Sequence, residues 1–188
     1  MKYYLSLGAN LGNREQTLRR ASEMIEQQIG PVPRCSSFYY SEPWGFESEH
    51  AFCNLCCLLE TDKSPLEVLR ATQAIERALG RTKKSVSPKD GLSVKNDVNR
   101  ALAAKKRSVS ETVCQSQTVY SDRSIDIDII QAFDNSGHEN QCQIFNHQSS
   151  IINHQSSMSS APLLTLPHPL WQERDFVKIP LQEITKNV

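Results

Sequence analysis

Residues 123–130 read Arg-Ser-Ile-Asp-Ile-Asp-Ile-Ile, and this alternation narrows what the chain can fold into. Alternate side chains of a strand share a face. Ile125, Ile127 and Ile129 then point into a core, while Asp126 and Asp128 point the other way, roughly 6.6 Å apart along the backbone. Strands with one apolar and one wet face are common in antiparallel sheets, so two charges could serve solubility alone. Asp is nevertheless a poor strand former, and two of them in an isoleucine ribbon just after Arg123 weigh against that reading. Hard oxygen donors on a firm strand suit Mg²⁺, which takes one or two carboxylates and leaves its other positions to water and phosphate. Two such ions about 3.5–4 Å apart can share the carboxylates and clamp a polyphosphate.

The rest of the chain supplies the elements around that strand. Lys2 to Leu7 reads as a strand that breaks at Gly8-Ala9-Asn10-Leu11-Gly12-Asn13, where glycine permits unusual backbone angles. Asn13 is a helix cap, followed by Leu18, Ala21, Ile25 and Ile29 at helical spacing and a stop at Gly30-Pro31. Val32 to Ser41 and Ala51 to Thr61 read as two more strands, with a loop at 42–46 between them. Ser64-Pro65 opens a second amphipathic helix with Leu66, Leu69, Ala74, Ile75 and Leu79 along its stripe. Tyr120 to Ala132 is the next strand, and Leu163 to Val188 closes the chain with a final amphipathic element. The expected class is α+β: a ferredoxin-like βαββαβ sandwich with helices on an antiparallel sheet. That plan hosts many functions and identifies none.

Two stretches do not fit this pattern. Residues 85–119 are rich in Ser, Lys and Asn, with a short helix expected at 97–107. From Lys83 to Val119 there are eight Lys/Arg against three Asp/Glu. Residues 134–160 hold 18 Asn, Gln, Ser or His among 27, including a near-repeat from Asn146 to Met158. Such compositions bury little apolar surface, so both read as low-complexity insertions in a single domain of 188 residues.

The 21 basic and 21 acidic side chains balance, which gives no electrostatic case for nucleic acid or an anionic membrane. No stretch approaches the ~20 apolar residues of a membrane span and nothing resembles a signal peptide, so the cytoplasm is expected. The cysteine group Cys53, Cys56 and Cys57 lies in an apolar run. It lacks the second ligand pair of a zinc site and reads as small buried hydrophobes rather than a redox pair.

Three further groups carry chemistry. Pro167-His168-Pro169, followed by Arg174-Asp175-Phe176, holds a His between two backbone-locking prolines, near an Arg suited to bidentate phosphate contact. Gln73 and Glu76 share a helix face ahead of Arg81, where a solvated polar face is the ordinary alternative. Phe52 and Asn54 share a strand face, where a planar heterocycle could stack on the ring and bond the amide; a buried aromatic beside a satisfied Asn is the plain alternative. No glycine-rich phosphate loop is present.

Taken together, these segments resemble the 6-hydroxymethyl-7,8-dihydropterin pyrophosphokinase family. The signatures are Ser-Leu-Gly-Ala-Asn-Leu-Gly at 6–12, Gln73…Glu76…Gly80-Arg81, Arg123…Asp126-x-Asp128, and Pro167-His168-Pro169…Arg174-x-Phe176. The resemblance covers about residues 1–84, 120–133 and 162–184. It implies transfer of diphosphate from ATP to the hydroxymethyl group of the dihydropterin, with AMP released, in folate biosynthesis. It further implies two Mg²⁺ ions on Asp126 and Asp128, with Arg81 and Arg123 also catalytic. Gln73, Glu76, Lys83, Tyr120, Ile129, His168 and Arg174 would surround ATP. Ser41, Glu42, Trp44, Phe52, Asn54 and Phe176 would hold the pterin, its ring between Phe52 and Phe176. Partners would be these two substrates, with no nucleic acid or membrane, and a monomer or weak dimer is expected. Departures are Phe52 and Tyr120 where Tyr and Trp are common, Trp44 for a smaller aliphatic, Lys83 for Arg, and about 35 extra residues in the loop expected to close over ATP. A different nucleotidyl transferase and a non-catalytic binding module are the rival readings.

Overall fold

The computed structural model describes residues 1–46, 48–81, 122–144 and 163–186. Strand β1 (Lys2–Ala9) leads into helix α1 (Arg14–Gln28), then short strands β2 (Arg34–Cys35) and β3 (Tyr39–Ser41), long strand β4 (Phe52–Glu60), helix α2 (Pro65–Ala78) and strand β5 (Asp126–Phe133). A small β6 (Cys142–Ile144) and β7 (Leu164–Leu166) pair with each other. A 3-10 turn (Trp171–Glu173) and helix α3 (Asp175–Thr185) follow. The main sheet is antiparallel in the order β2-β4-β1-β5, with β3 also on β4. The architecture is α+β.

Local chemistry explains the helix ends. Asn13 accepts the Gln16 N–H at 3.1 Å and caps α1. Glu67 reaches back to the Ser64 N–H at 2.9 Å, with Pro65 at the first helical position, which starts α2. At its other end Gly80 adopts φ +91°. The Gly80 N–H then donates to the Arg77 carbonyl and the Arg81 N–H to the Glu76 carbonyl, a Schellman termination. The apolar contact that usually joins the outer residues of this motif is replaced here by the Arg81–Glu76 ion pair.

The sheet has two unlike faces. Tyr3, Leu5, Leu7, Cys53, Leu55, Cys57, Leu59, Ile127 and Ile129 pack with Leu18, Ala21 and Ile25 of α1 and Val68, Leu69 and Ile75 of α2. On the other face, Cys56, Ile130 and Tyr4 pack under Val177, Leu181 and Ile184 of α3. Each fully buried aliphatic side chain there contributes about 1.5–3 kcal/mol. Helix α3 covers only one end of this face. At the uncovered end β1 carries small residues, and its register aligns Asn54, Gly8 and Asp126 in one row and Cys56, Ser6 and Asp128 in the next.

Several expectations change. Val32 to Ser41 is two short strands, because Ser36 turns its hydroxyl to the Cys56 N–H at 2.9 Å and Ser37 binds Glu183 of α3. Residues 134–144, read as part of an insertion, form a turn and β6: Asp134 accepts the N–H groups of Ser136 and His138 at 2.8 and 2.9 Å, and β6 then pairs with β7. The rest of that stretch, residues 85–119 and the expected helix at 97–107 lie outside the described residues. Among the described residues no helix is long and apolar enough to cross a membrane.

Candidate active site

The uncovered end of the sheet is the floor of a cavity of about 230 Å³. Its lining gathers residues from six segments: Ser6 and Gly8; Ser41, Glu42, Trp44 and Phe46; Phe52 and Asn54; Arg81; Arg123, Asp126 and Asp128; His168, Arg174 and Phe176. One end is charged and the other aromatic.

At the charged end Asp126 is held by two guanidinium groups, Arg81 on one carboxylate oxygen and Arg123 on the other. Arg81 bonds Glu76 as well. Glu76, 4% exposed, accepts the main-chain N–H of Ile127 at 2.8 Å. Burial pushes its carboxyl up despite the Arg81 charge. Burial alone would weaken the charge on Arg81, but Asp126 and Glu76 reverse that and hold it more firmly protonated. Arg123 is fixed from behind by Asn10, whose side-chain oxygen accepts the Arg123 main-chain N–H at 2.8 Å. Asp128 is raised to about 7, first by burial and then by the charge of Asp126, against the pull of Arg174 and Arg123.

This donor set can be tested against a magnesium ion. Two carboxylates line one pocket from one strand face, and burial beside a second acid leaves Asp128 short of positive charge. Among the described residues no cluster of three or more His, Cys, Asp or Glu forms a protein cage. Two carboxylates without a cage suit Mg²⁺ brought in with a polyphosphate, whose own oxygens complete the shell. The residues fit such an ion.

His168 joins the two ends of the pocket. Its main-chain N–H donates to the Ile130 carbonyl at 2.8 Å, tying the loop to β5. Its Nδ1 accepts the Leu170 N–H at 3.3 Å. Burial, then the Arg174 charge, lowers the imidazole to about 4, so at neutral pH the ring is uncharged with its proton on Nε2.

At the aromatic end, the Arg174 guanidinium lies 4.6 Å from the Trp44 ring centre and 5.9 Å from that of Phe176, a cation–π arrangement on both sides. Phe46 meets Phe52 edge to face at 6.1 Å. Asn54, 3% exposed, donates its amide hydrogens to the Tyr39 carbonyl at 3.2 Å and Ser41 Oγ at 3.1 Å. Its carbonyl oxygen is left over Gly8, where a Cβ would meet it at 2.9 Å.

Two comparisons bear on this geometry. The family described as 7,8-dihydro-6-hydroxymethylpterin-pyrophosphokinase (HPPK) matches residues 4–90 and 86–186. The chain belongs to this family. A 2-amino-4-hydroxy-6-hydroxymethyldihydropteridine pyrophosphokinase of Porphyromonas gingivalis is 35% identical over 181 residues, 96% of this chain and 88% of its own. The protein of that name from Bacillus subtilis is 40% identical over 81 residues, 43% of this chain and 48% of its own. The folic acid synthesis protein fol1 of Schizosaccharomyces pombe is 37% identical over 81 residues, 43% of this chain and 11% of its own.

Of the residues that the HPPK resemblance named, twelve line the cavity: Ser41, Glu42, Trp44, Phe52, Asn54, Arg81, Arg123, Asp126, Asp128, His168, Arg174 and Phe176. Gln73 is half-buried on α2 and does not line it. Glu76 sits beneath the lining and acts on Arg81 and the β5 edge. The Ile129 side chain, 2% exposed, packs in the core under the two helices, on the face opposite Asp128, and does not line the cavity. Lys83 and Tyr120 lie outside the described residues. Sequence reasoning did not single out Ser6, Gly8 or Phe46. Ser6 and Gly8 belong to the quoted 6–12 segment, and two small residues at alternate positions of a central strand are the signal of an uncovered floor.

Proposed function

We propose that this pocket is where the chain, a pyrophosphokinase of folate biosynthesis, transfers diphosphate from ATP to the hydroxymethyl group of 6-hydroxymethyl-7,8-dihydropterin and releases AMP. The observation that carries the assignment of the site is the joining, on one sheet face, of paired aspartates and three arginines with an aromatic, amide-bearing end. The strand order and the two helices on one face support reading the core as the ferredoxin-like βαββαβ plan.

The roles follow from position. The pterin ring stacks between Phe52 and Phe176, and the carbonyl oxygen of Asn54, whose own hydrogens are already used, accepts an N–H from the pterin edge. Ser41, Glu42 and Trp44 border that end. Arg81, Arg123 and Arg174 bind the phosphates, and the neutral His168 donates through Nε2–H. Asp126 and Asp128 hold Mg²⁺, which when bound neutralises phosphate charge and orients the transferred group. Phosphoryl transfer through a loose transition state needs little covalent help, so alignment and charge stabilisation carry the rate. The arginines stabilise charge where it develops, in a site sheltered from bulk water.

The test is incubation with ATP, Mg²⁺ and the hydroxymethyl-dihydropterin, followed by chromatography of the nucleotides. AMP is the expected product, and free pyrophosphate would mark a nucleotidyl transferase instead. For the metal role, Asp128→Ala should lose turnover while keeping its circular dichroism and a cooperative unfolding transition. Calorimetry with a non-hydrolysable ATP analogue should show magnesium-dependent binding to the wild type and none to the variant. Normal AMP release by Asp128→Ala would remove Asp128 from the site.

A further inference from the structure

Away from the pocket, two thiols face each other at the edge of the sheet. Cys35 of β2 and Cys57 of β4 are register partners. The Ser36 N–H donates to the Cys56 carbonyl at 2.8 Å, so the adjoining Cys35–Cys57 pair takes the non-hydrogen-bonded position. There facing Cα atoms lie about 4.5 Å apart and the side chains come closest, inside the range a disulfide spans. The other described cysteines have no such partner: Cys53 faces Ala9 and Tyr40, Cys56 faces Ser6, and Cys142 faces Leu166. β2 is an edge strand, so Cys35 is exposed, while Cys57 is fully buried in the core.

The pair is chemically uneven. Cys35 lies 3.5 Å from Ser22 Oγ of α1. Its hydrogen bond with Cys57 and the one with Ser22 bring its thiol down to about 6, against burial and the nearby Glu26 carboxylate. The same bond, with burial, pushes Cys57 well up. An accessible thiolate therefore sits against a protonated, sheltered thiol. That is the layout of an attacking and a resolving cysteine.

We propose that Cys35 and Cys57 form a redox-active pair that reduces hydroperoxides, with Cys35 attacking and Cys57 resolving. The Cys35 thiolate attacks the peroxide, the O–O bond breaks, and one oxygen stays on sulfur as sulfenic acid while the other leaves as hydroxide or alkoxide and takes a proton from water. Cys57 sulfur then attacks Cys35 sulfur, the S–O bond breaks, and the oxygen leaves as water with the Cys57 proton. Two thiols lose two electrons, and the peroxide becomes an alcohol or water. The resulting bridge joins β2 to β4 on the helix-covered face, so it leaves the pocket lining untouched.

Two measurements test this. The rate of Cys35 alkylation by iodoacetamide is followed against pH. At pH 7 a thiol of pKa near 6 is about 90% thiolate, against about 3% for an ordinary one. The weaker nucleophilicity of a low-pKa thiolate offsets most of that thirty-fold, so the readout is the midpoint of the profile, expected near pH 6. Second, the full chain is treated with hydrogen peroxide, free thiols are blocked, and the protein is cut after glutamate. Cleavage at Glu26, Glu47, Glu49 and Glu60 puts Cys35 and Cys57 on separate peptides. A linked pair, 2 Da lighter than the free peptides, is expected, with fragmentation placing the bond on Cys57. Cys35→Ser, at an exposed position, should abolish the link and keep AMP production. Cys57→Ala should stop the reaction at a sulfenic acid trapped by dimedone. A midpoint at pH 8–9, a bridge from Cys35 to Cys114 or any other cysteine, or oxidation of Cys35 past sulfenic acid without a bridge would overturn the proposal.

Discussion

Glu76 accepts the Ile127 N–H at 2.8 Å, so a helix side chain occupies the outer edge of the strand that carries Asp126 and Asp128. β5 is the last strand of the sheet. The Ile127 N–H on its outer edge is thereby satisfied by the same carboxylate that holds Arg81. Glu76→Ala should leave that N–H buried without an acceptor and deprive Arg81 of one carboxylate. We expect a loss of about 2–4 kcal/mol in urea denaturation. Glu76→Gln keeps an oxygen for Ile127 and should lose less. A loss under about 0.5 kcal/mol for the alanine variant would contradict the edge-holding role.

Asp128 makes the ligand-free fold sensitive to pH. Its folded-state value of about 7 lies above that of an unfolded aspartate, so the folded chain holds the extra proton. Its contribution to stability is full below about pH 4 and is lost as pH rises through about 7. Asp128→Asn removes this penalty. The variant should gain on the wild type between pH 4 and 8 by at most about 4 kcal/mol, while producing no AMP. Parallel stability–pH curves for the two proteins would refute this.

The opposite sign holds for His168. Its value is lowered to about 4, so its contribution is present above about pH 6.5 and lost as pH falls through about 4. Its ring resonances should stay at neutral positions in an NMR titration from pH 8 to 5.5. The AMP-forming rate should show no limb from this group in that range. A ring titrating near 6.5 would mean that His168 is not enclosed as described.

Gly8→Ala tests the pocket floor. A Cβ there would meet the Asn54 oxygen at 2.9 Å, displacing an amide anchored by Tyr39 and Ser41 while sparing the core on the other face. The KM for the dihydropterin should rise at least ten-fold with little change in the KM for ATP. Equal loss toward both substrates would indicate general collapse of the site.

Much of the site was legible because it rests on strand alternation. Asp126 and Asp128 share a face, and so do Phe52 and Asn54; the sheet register then brings both pairs around Gly8. The same alternation puts the Ile129 side chain in the core, as the isoleucine ribbon leads one to expect. What escaped the sequence depends on distant partners. The break between β2 and β3 follows from Ser37 binding Glu183, 146 residues away. β6 lies within a polar stretch and becomes a strand only through β7, across a separation no local pattern encodes. Glu76 looked like one half of a solvated helix face because its partner, the Ile127 N–H, is a backbone group that carries no side-chain signature.

The double hold of Arg81 and Arg123 on Asp126 has a consequence for how this chain can change over generations. Those arginines stand on either side of residues 82–121, so one acidic group works as a drawstring around the neck of that excursion. For any flexible connection whose ends are held together, a doubling of length costs only about 0.6 kcal/mol. Insertions and deletions can accumulate there while the sheet, and the chemistry mounted on it, stay in register.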